Sequence, residues 1–326
     1  MTTHREKRAR AAGVAPFLLA VLLGIAPVPG AAQDVPPDPL DECVRLAPLF
    51  REAVDAGEWT LALETGEEMA WQAMTLHTDL LFEIARQHAL LGEPAEAYLW
   101  LDRARAAGFW DVMRVREDEA FANLITEDHF RALLRGIWLN GYIAMLERDE
   151  RDDFQMPARV METLALEPGE RVADVGAGSG YFTIPVAKAV GPEGVVWAMD
   201  IRQEMLDFLE KRLRGEKIEN VRVRLVEPDD PGLPPGGVDT ILMVDTWHYI
   251  RDPAYAAKLR AGLAPGGRVV VIDYRPKPWE ERPWGVPPQQ QTPREELDAH
   301  FAEAGLQPVR VHDFLPEQYF VEYEAR

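Results

Sequence analysis

Between residues 170 and 275, short β-rich runs alternate with helical stretches, and this alternation restricts the fold more than any other feature of the chain. The runs are ERVADVGAG (170–178), GVVWAMDI (194–201), VRVRLVE (221–227), VDTILMVDT (238–246) and GRVVVIDYR (267–275). Helical patterns at 181–190, 203–214 and 253–263 separate most of them. Strands joined through helices run parallel and are covered on both faces. Two last runs, QPVRVHDFL (307–315) and QYFVEYEA (318–325), are separated only by a Pro–Glu turn. That link is too short for a parallel crossover, so these two pair antiparallel. The expected fold is therefore α/β: a mostly parallel sheet that closes with an antiparallel hairpin.

The sequence before residue 147 has a different period. From Asp41 to about Leu146 it is helical with almost no β-type alternation. Within FEIARQHALLGEPAEAYLWLDRARAAGF (82–109), the small residues Ala85, Gly92, Ala97 and Ala104 let two antiparallel helices approach closely around an LGEP turn. This hairpin resembles a tetratricopeptide repeat, whose period is 34 residues. A partial earlier copy places Gly57 and Ala62 before Gly92 and Ala97, although its other positions match poorly. An ordinary helical hairpin is the alternative, and Trp59, Trp71 and Trp100 are expected to pack between helices. The charged stretch ERDERDDFQM (147–156) marks the boundary.

At the start, HREKRAR (4–10) precedes an apolar run and then small residues up to Ala32. That is the order of a secretory signal peptide. The expected organisation is a signal peptide over 1–32, a proline-rich linker over 33–40, an all-α helical-repeat domain over 41–150 and the α/β domain over 151–326. The expected location is periplasmic or secreted, with no stable membrane span after cleavage; a cytoplasmic protein is the alternative. Thirty-five Lys and Arg against 55 Asp and Glu give a net charge of -20. Such a chain repels phosphate backbones, which argues against a nucleic-acid partner. A single cysteine, Cys43, excludes an intrachain disulfide or a cysteine-built metal site. No metal site is expected either, since His248, His300 and His312 lack ligand spacing.

The stretch DVGAGSG (174–180) sits where the first strand hands over to a helix, at the sheet edge where open α/β folds bind ligands. Its glycines allow a sharp turn and close approach of a ligand to the main chain. A dinucleotide fold wants G-x-G-x-x-G with a helix N-terminus aimed at a pyrophosphate. Here Asp174 stands two residues before Gly176, with Gly178 and Gly180 following at even spacing. A carboxylate there would repel a pyrophosphate and suits a cationic amino-acid group. Asp200 then ends the second strand, where it can accept hydrogen bonds from two ribose hydroxyls.

This set resembles a class I S-adenosylmethionine-dependent methyltransferase over residues 155–326. VADVGAGSGYFT resembles the family's first motif, AMDI its second, and LAPGGRVVVID its late loop and strand. HDFLPEQYFVEYE further resembles a bacterial branch closing with a similar signature. The resemblance implies a Rossmann-like seven-stranded sheet and S-adenosyl-L-methionine as cofactor. It implies close cofactor access at Gly176, Ala177, Gly178 and Gly180, placement of the amino group by Asp174, and ribose binding by Asp200 beside Ile201. Asp229 matches the position for the adenine amino group, with Glu227 and Asp230 as alternatives because this loop departs from the family pattern. Asp245, ending the fourth strand, would face the reacting methyl.

The candidate base is His248 in VDTWHYI, needed only if the acceptor must lose a proton. Trp247 and Tyr249 are expected to wall a small-molecule substrate pocket, and the Pro- and Trp-rich segment 273–291 to fold over the acceptor. Two other function classes compete. One is a scaffold that recruits a protein partner through the helical repeats beside an inactive nucleotide fold. The other is an NAD-dependent oxidoreductase, opposed by the glycine spacing.

Overall fold

The computed structural model describes residues 38–326 except Asp149 and Pro283. The expected signal peptide lies outside the described residues. Among them, no helix is long and apolar enough to cross a membrane. The chain divides into two compact units, with the division between Ala144 and Met145.

The first unit is helical. Helix α1 (Pro39–Ala56) opens with Asp38 accepting the backbone N–H of Leu40 at 2.8 Å and ends at Gly57, whose φ is 71°. It thus starts inside the expected linker. Helices α2 (Trp59–Leu90) and α3 (Pro94–Ala106) form the expected hairpin; Gly92 turns with φ 74°, and Ala85, Ala97 and Ala104 are fully buried. At the earlier repeat copy α1 packs on α2 across the Gly57 turn, but the two copies share α2 instead of forming separate helix pairs. Between the turns at Gly57 and Gly92 runs one helix of 32 residues, so the break a helix pair needs is missing. Trp59 and Trp71 are exposed rather than packed between helices, and Arg103 stacks on Trp100. The core is aromatic: Phe82, Phe109, Phe121 and Phe130 pack with Leu101 and Ile137. It is completed by α4 (Val112–Glu117) and α5 (Asp128–Leu146).

The second unit begins with α6 (Glu150–Gln155) and α7 (Pro157–Leu164). There follow β1 (Arg171–Val175), α8 (Thr183–Val190), β2 (Val195–Asp200), α9 (Gln203–Glu216), β3 (Val221–Leu225) and β4 (Val238–Val244). Then come α10 (Trp247–Ile250), α11 (Pro253–Gly262), β5 (Leu263–Tyr274), α12 (Arg294–Glu303), β6 (Leu306–His312) and β7 (Gln318–Ala325). The seven strands form one sheet in the order β3-β2-β1-β4-β5-β7-β6. The first five are parallel; β7 runs antiparallel to both β5 and β6.

Both faces of the central strands are buried, whereas the edge strands β3 and β6 are largely exposed. Ile241, Met243, Val269 and Val271 point to one face and pack with Tyr255, Leu259, Leu297 and Phe301. Their neighbours Leu242, Val244, Val270 and Ile272 point to the other, against Val160, Leu164, Phe182 and Val186. The connections change direction between β1 and β4, which lie side by side. In such a sheet the crevice beyond the carboxyl ends of these two strands is the place for a ligand.

Candidate active site

The loop after β1 is held by its neighbours at every glycine. The N–H groups of Gly176 and Ala177 donate to Met199 O at 2.8 and 2.9 Å, tying the loop to the end of β2. Gly176 (φ 81°), Gly178 (φ 54°) and Gly180 (φ 88°) all lie in the left-handed region. A Cβ on Gly176 would reach Thr246 Cγ2 at 2.7 Å, and one on Gly180 would collide with Leu209 Cδ1. These two glycines therefore let the loop pack against the β4 end and α9. Gly178 differs: a Cβ there would meet only Leu146 at 3.4 Å and Gly176 O at 3.9 Å.

Asp200 ends β2. Its Oδ2 accepts the N–H of Gly178 at 3.0 Å and its Oδ1 that of Arg202 at 2.9 Å. Burial pushes this carboxyl above its ordinary value, while those same backbone donors pull it back. A carboxylate offers about four lone-pair sites, so acceptor capacity remains for vicinal hydroxyls. Ile201 beside it is exposed. Asp174 is buried within β1 and accepts from Thr183 Oγ1 at 2.5 Å; burial raises it to about 6.

The β4 end carries the densest polar cluster. Asp245 has φ 51°, a strained conformation for a residue with a side chain and one that gathers at functional sites. Its Oδ1 accepts from Gln318 Nε2 at 2.5 Å and its Oδ2 from Gln155 Nε2. Arg151 Nε donates to Gln155 Oε1 at 2.8 Å and so fixes which way that amide faces. Burial raises Asp245 to about 6, and the charge of Asp273 pushes the same way.

His248, on α10, is 4% exposed. Asp273, near the end of β5, accepts its backbone N–H at 2.9 Å and its ring Nδ1–H at 2.7 Å. That fixes the tautomer, leaving the lone pair on Nε2, which is buried without a hydrogen-bond partner. Tyr249 is exposed with its ring 4.1 Å from that of His248. Trp247 does not wall a pocket: it lies in the core, edge-on to Phe301. Asp229 stands on the exposed loop after β3, where its main-chain carbonyl accepts from Lys258 Nζ at 2.6 Å. Glu227 and Asp230 close that loop as an isolated bridge. Among the described residues, no group of three or more His, Cys, Asp or Glu is placed to hold a metal ion.

Five of the polar partners were missed in the sequence: Asp273, Thr183, Gln155, Gln318 and Arg151. Only Asp273 carried a signal, an acid closing a buried strand in VVVIDY, the same kind that marked Asp200 and Asp245.

A family model described as a methyltransferase domain matches residues 172–267, which include the glycine loop, Asp200, Asp245 and His248. The chain is 31% identical over 131 residues to a nocamycin O-methyltransferase of Saccharothrix syringae, covering 40% of this chain and 46% of that one. It is 32% identical over 116 residues to a ubiquinone/menaquinone biosynthesis C-methyltransferase of Burkholderia vietnamiensis, covering 35% and 47%. The chain thus spans less than half the length of the curated relatives it matches. A crystal structure of an S-adenosylmethionine-dependent methyltransferase from Aquifex aeolicus superposes with a TM-score of 0.52 at 27% identity, over 56% of this chain and 95% of that one.

Residues 172–267 therefore match a methyltransferase domain, and the sheet around them has the fold of the S-adenosylmethionine-dependent methyltransferase from Aquifex aeolicus. The residues present fit that cofactor: an acid with remaining acceptor capacity at the β2 end, and a buried carboxylate at the β4 end to face a cation.

Proposed function

We propose that this protein transfers the methyl group of S-adenosylmethionine to a small-molecule acceptor that must lose a proton, with His248 as the base. One observation carries the reading: a buried imidazole, oriented at Nδ1 by Asp273, keeps an unpartnered Nε2 beside the strand end where the carboxylate of Asp245 is held. S-adenosylmethionine, when bound, supplies a methyl on a positively charged sulfur, ready for in-line displacement.

The rest is the work of this chain. Gly178 and Ala177 bring main chain to the cofactor, Asp200 takes its ribose hydroxyls beside Ile201, and the Asp229 loop lies toward its base. Asp174 and Asp245 set negative potential where the cationic end rests. Gln155 and Gln318 hold Asp245 in place, so that its charge is fixed before the acceptor arrives. His248 Nε2 takes the acceptor proton as the new bond forms, and Asp273 stabilises the imidazolium.

Calorimetry with S-adenosylhomocysteine and with NAD tests the cofactor half. Production of S-adenosylhomocysteine from a panel of phenols and alcohols, compared with His248→Gln, tests the acceptor half. Binding of NAD in place of S-adenosylhomocysteine would sink the reading.

We read the helical unit as a surface for a protein partner, supported by its exposed Trp59 and Trp71. A chain starting near Arg151 should stay folded but lose activity on the native acceptor. The order of charge, apolar run and small residues over 4–32 supports export to the periplasm; an N-terminus at residue 1 or 2 in a cytosolic fraction would refute it.

A further inference from the structure

In the segment after β5, Arg282 is left with half of its guanidinium unused. Its side chain is buried at 2% exposure. Nη1 donates to Glu317 O at 3.3 Å and faces Glu317 Oε2 at 3.6 Å. Nε and Nη2 are buried with no hydrogen-bond partner. Those two nitrogens form one edge of the planar group, with parallel N–H bonds spaced for the two oxygens of a carboxylate. A buried cation with unpaired donors is costly, and native folds rarely keep one without a use.

The surroundings say what would meet that edge. Arg282 Cζ lies 4.7 Å from the ring centre of Tyr274 and 6.0 Å from that of Trp284. Phe154 packs 4.6 Å from Trp284, and Arg148 lies over both rings. The main chain at Gly285 passes so close to Tyr274 that a Cβ there would sit 3.2 Å from the ring. Tyr274 in turn stands 6.3 Å from the ring of His248, so Arg282 and His248 flank one aromatic side chain. Glu317, 3.6 Å from Arg282, is also paired with Lys277 at 2.7 Å, so one carboxylate is shared by two cations.

The geometry points to Arg282 as the anchor for a carboxylate on the methyl acceptor, with Tyr274 and Trp284 against the acceptor's apolar body. The role given to the acceptor rests on the methyltransferase reading; the anion site itself does not. A flat monoanion matches the fork and the aromatic walls, whereas a phosphate dianion would bring a second charge into an apolar enclosure.

The test is calorimetry on the full chain with benzoate, benzamide and phenyl phosphate, each with and without S-adenosylhomocysteine. Benzoate should bind saturably, with benzamide and phenyl phosphate each weaker by about tenfold or more. Arg282→Lys keeps the charge and loses the fork; it should weaken benzoate by about tenfold while leaving S-adenosylhomocysteine affinity unchanged. Arg282→Gln should abolish benzoate binding. Absence of a saturable benzoate response, equal affinity for benzamide, tighter binding of phenyl phosphate, or full benzoate affinity in Arg282→Lys would each overturn the assignment. Failure of the wild-type chain to bind S-adenosylhomocysteine while benzoate still binds would remove the methyltransferase reading and leave the anion site standing.

Discussion

Asp273 grips His248 at two points, through the backbone N–H with one carboxylate oxygen and through ring Nδ1 with the other. The two residues lie 25 apart in sequence, on β5 and on the short helix after β4. The backbone bond sets where the histidine sits, and the ring bond sets which nitrogen is free. Asp273→Asn preserves the shape but can donate to Nδ1, turning the ring toward the wrong tautomer. Turnover should fall by about 10²–10⁴-fold with S-adenosylhomocysteine affinity unchanged, and the pH profile of the residual rate should lose its acidic limb, the fall at low pH that protonation of a general base causes. A matched loss of turnover and cofactor affinity would instead mark Asp273 as structural.

Asp200 should act on binding rather than on chemistry. Removing its carboxylate in Asp200→Ala takes away the acceptor for the ribose and frees the N–H of Gly178. Hydrogen bonds to a charged group contribute about 1.5–3 kcal/mol, so S-adenosylhomocysteine affinity should drop by about one to two orders of magnitude in calorimetry. Unchanged affinity in a folded variant would reassign the residue.

What the sequence disclosed and what it concealed divide along a physical line. The strand and helix periods, the turn glycines and the acids closing β2 and β4 are local patterns, set by neighbours within a few residues. The partners of Asp245 are not: Gln155 and Gln318 reach it from 90 and 73 residues away. A glutamine in a helix and another opening a strand look like surface residues until the topology joins them. Trp247 misled for a related reason. Beside His248 in sequence, it points across the α10 turn into the core under α12. The two helical copies share one long helix, because spaced small residues record close packing, not where a helix ends. The segment after β5 read as a cover by its composition, but nothing in it marked Arg282 above its neighbours.

Glycines on either side of β1 offer a graded test of sterics. Gly169 and Gly176 both have positive φ, at 86° and 81°. A Cβ on Gly169 meets nothing within 4 Å, so Gly169→Ala carries only the left-handed backbone cost of about 1 kcal/mol. Gly176→Ala adds a collision with Thr246 and should lose roughly 2–3 kcal/mol or more. Thermal unfolding of the two variants side by side gives the comparison; equal losses would show that Thr246 yields at no cost.

Asp174 and Asp245 make the last case, because their surroundings oppose their charge. Burial is the main cause for both, and it lifts each from 3.8 to about 6. The folded state therefore holds these protons more tightly than the unfolded chain. Their contribution to stability is fully present below 3.8 and is lost as the pH rises through about 6. Asp239 works the other way: its hydrogen bond from Arg171 holds it low, so its contribution is fully present above 3.8 and is lost only as the pH falls below that value, outside this window. A cationic ligand placed against Asp174 and Asp245 favours their ionised forms. S-adenosylmethionine affinity should then rise between pH 5 and 7, with proton release on binding. S-adenosylhomocysteine, which lacks the sulfonium charge, should show a shallower rise. Asp245→Asn should flatten the difference between the two ligands while leaving the contribution of Asp174. Calorimetry in buffers of different ionisation enthalpy measures the released protons directly, and a pH-independent affinity for S-adenosylmethionine would show that neither carboxylate faces the cofactor's charge.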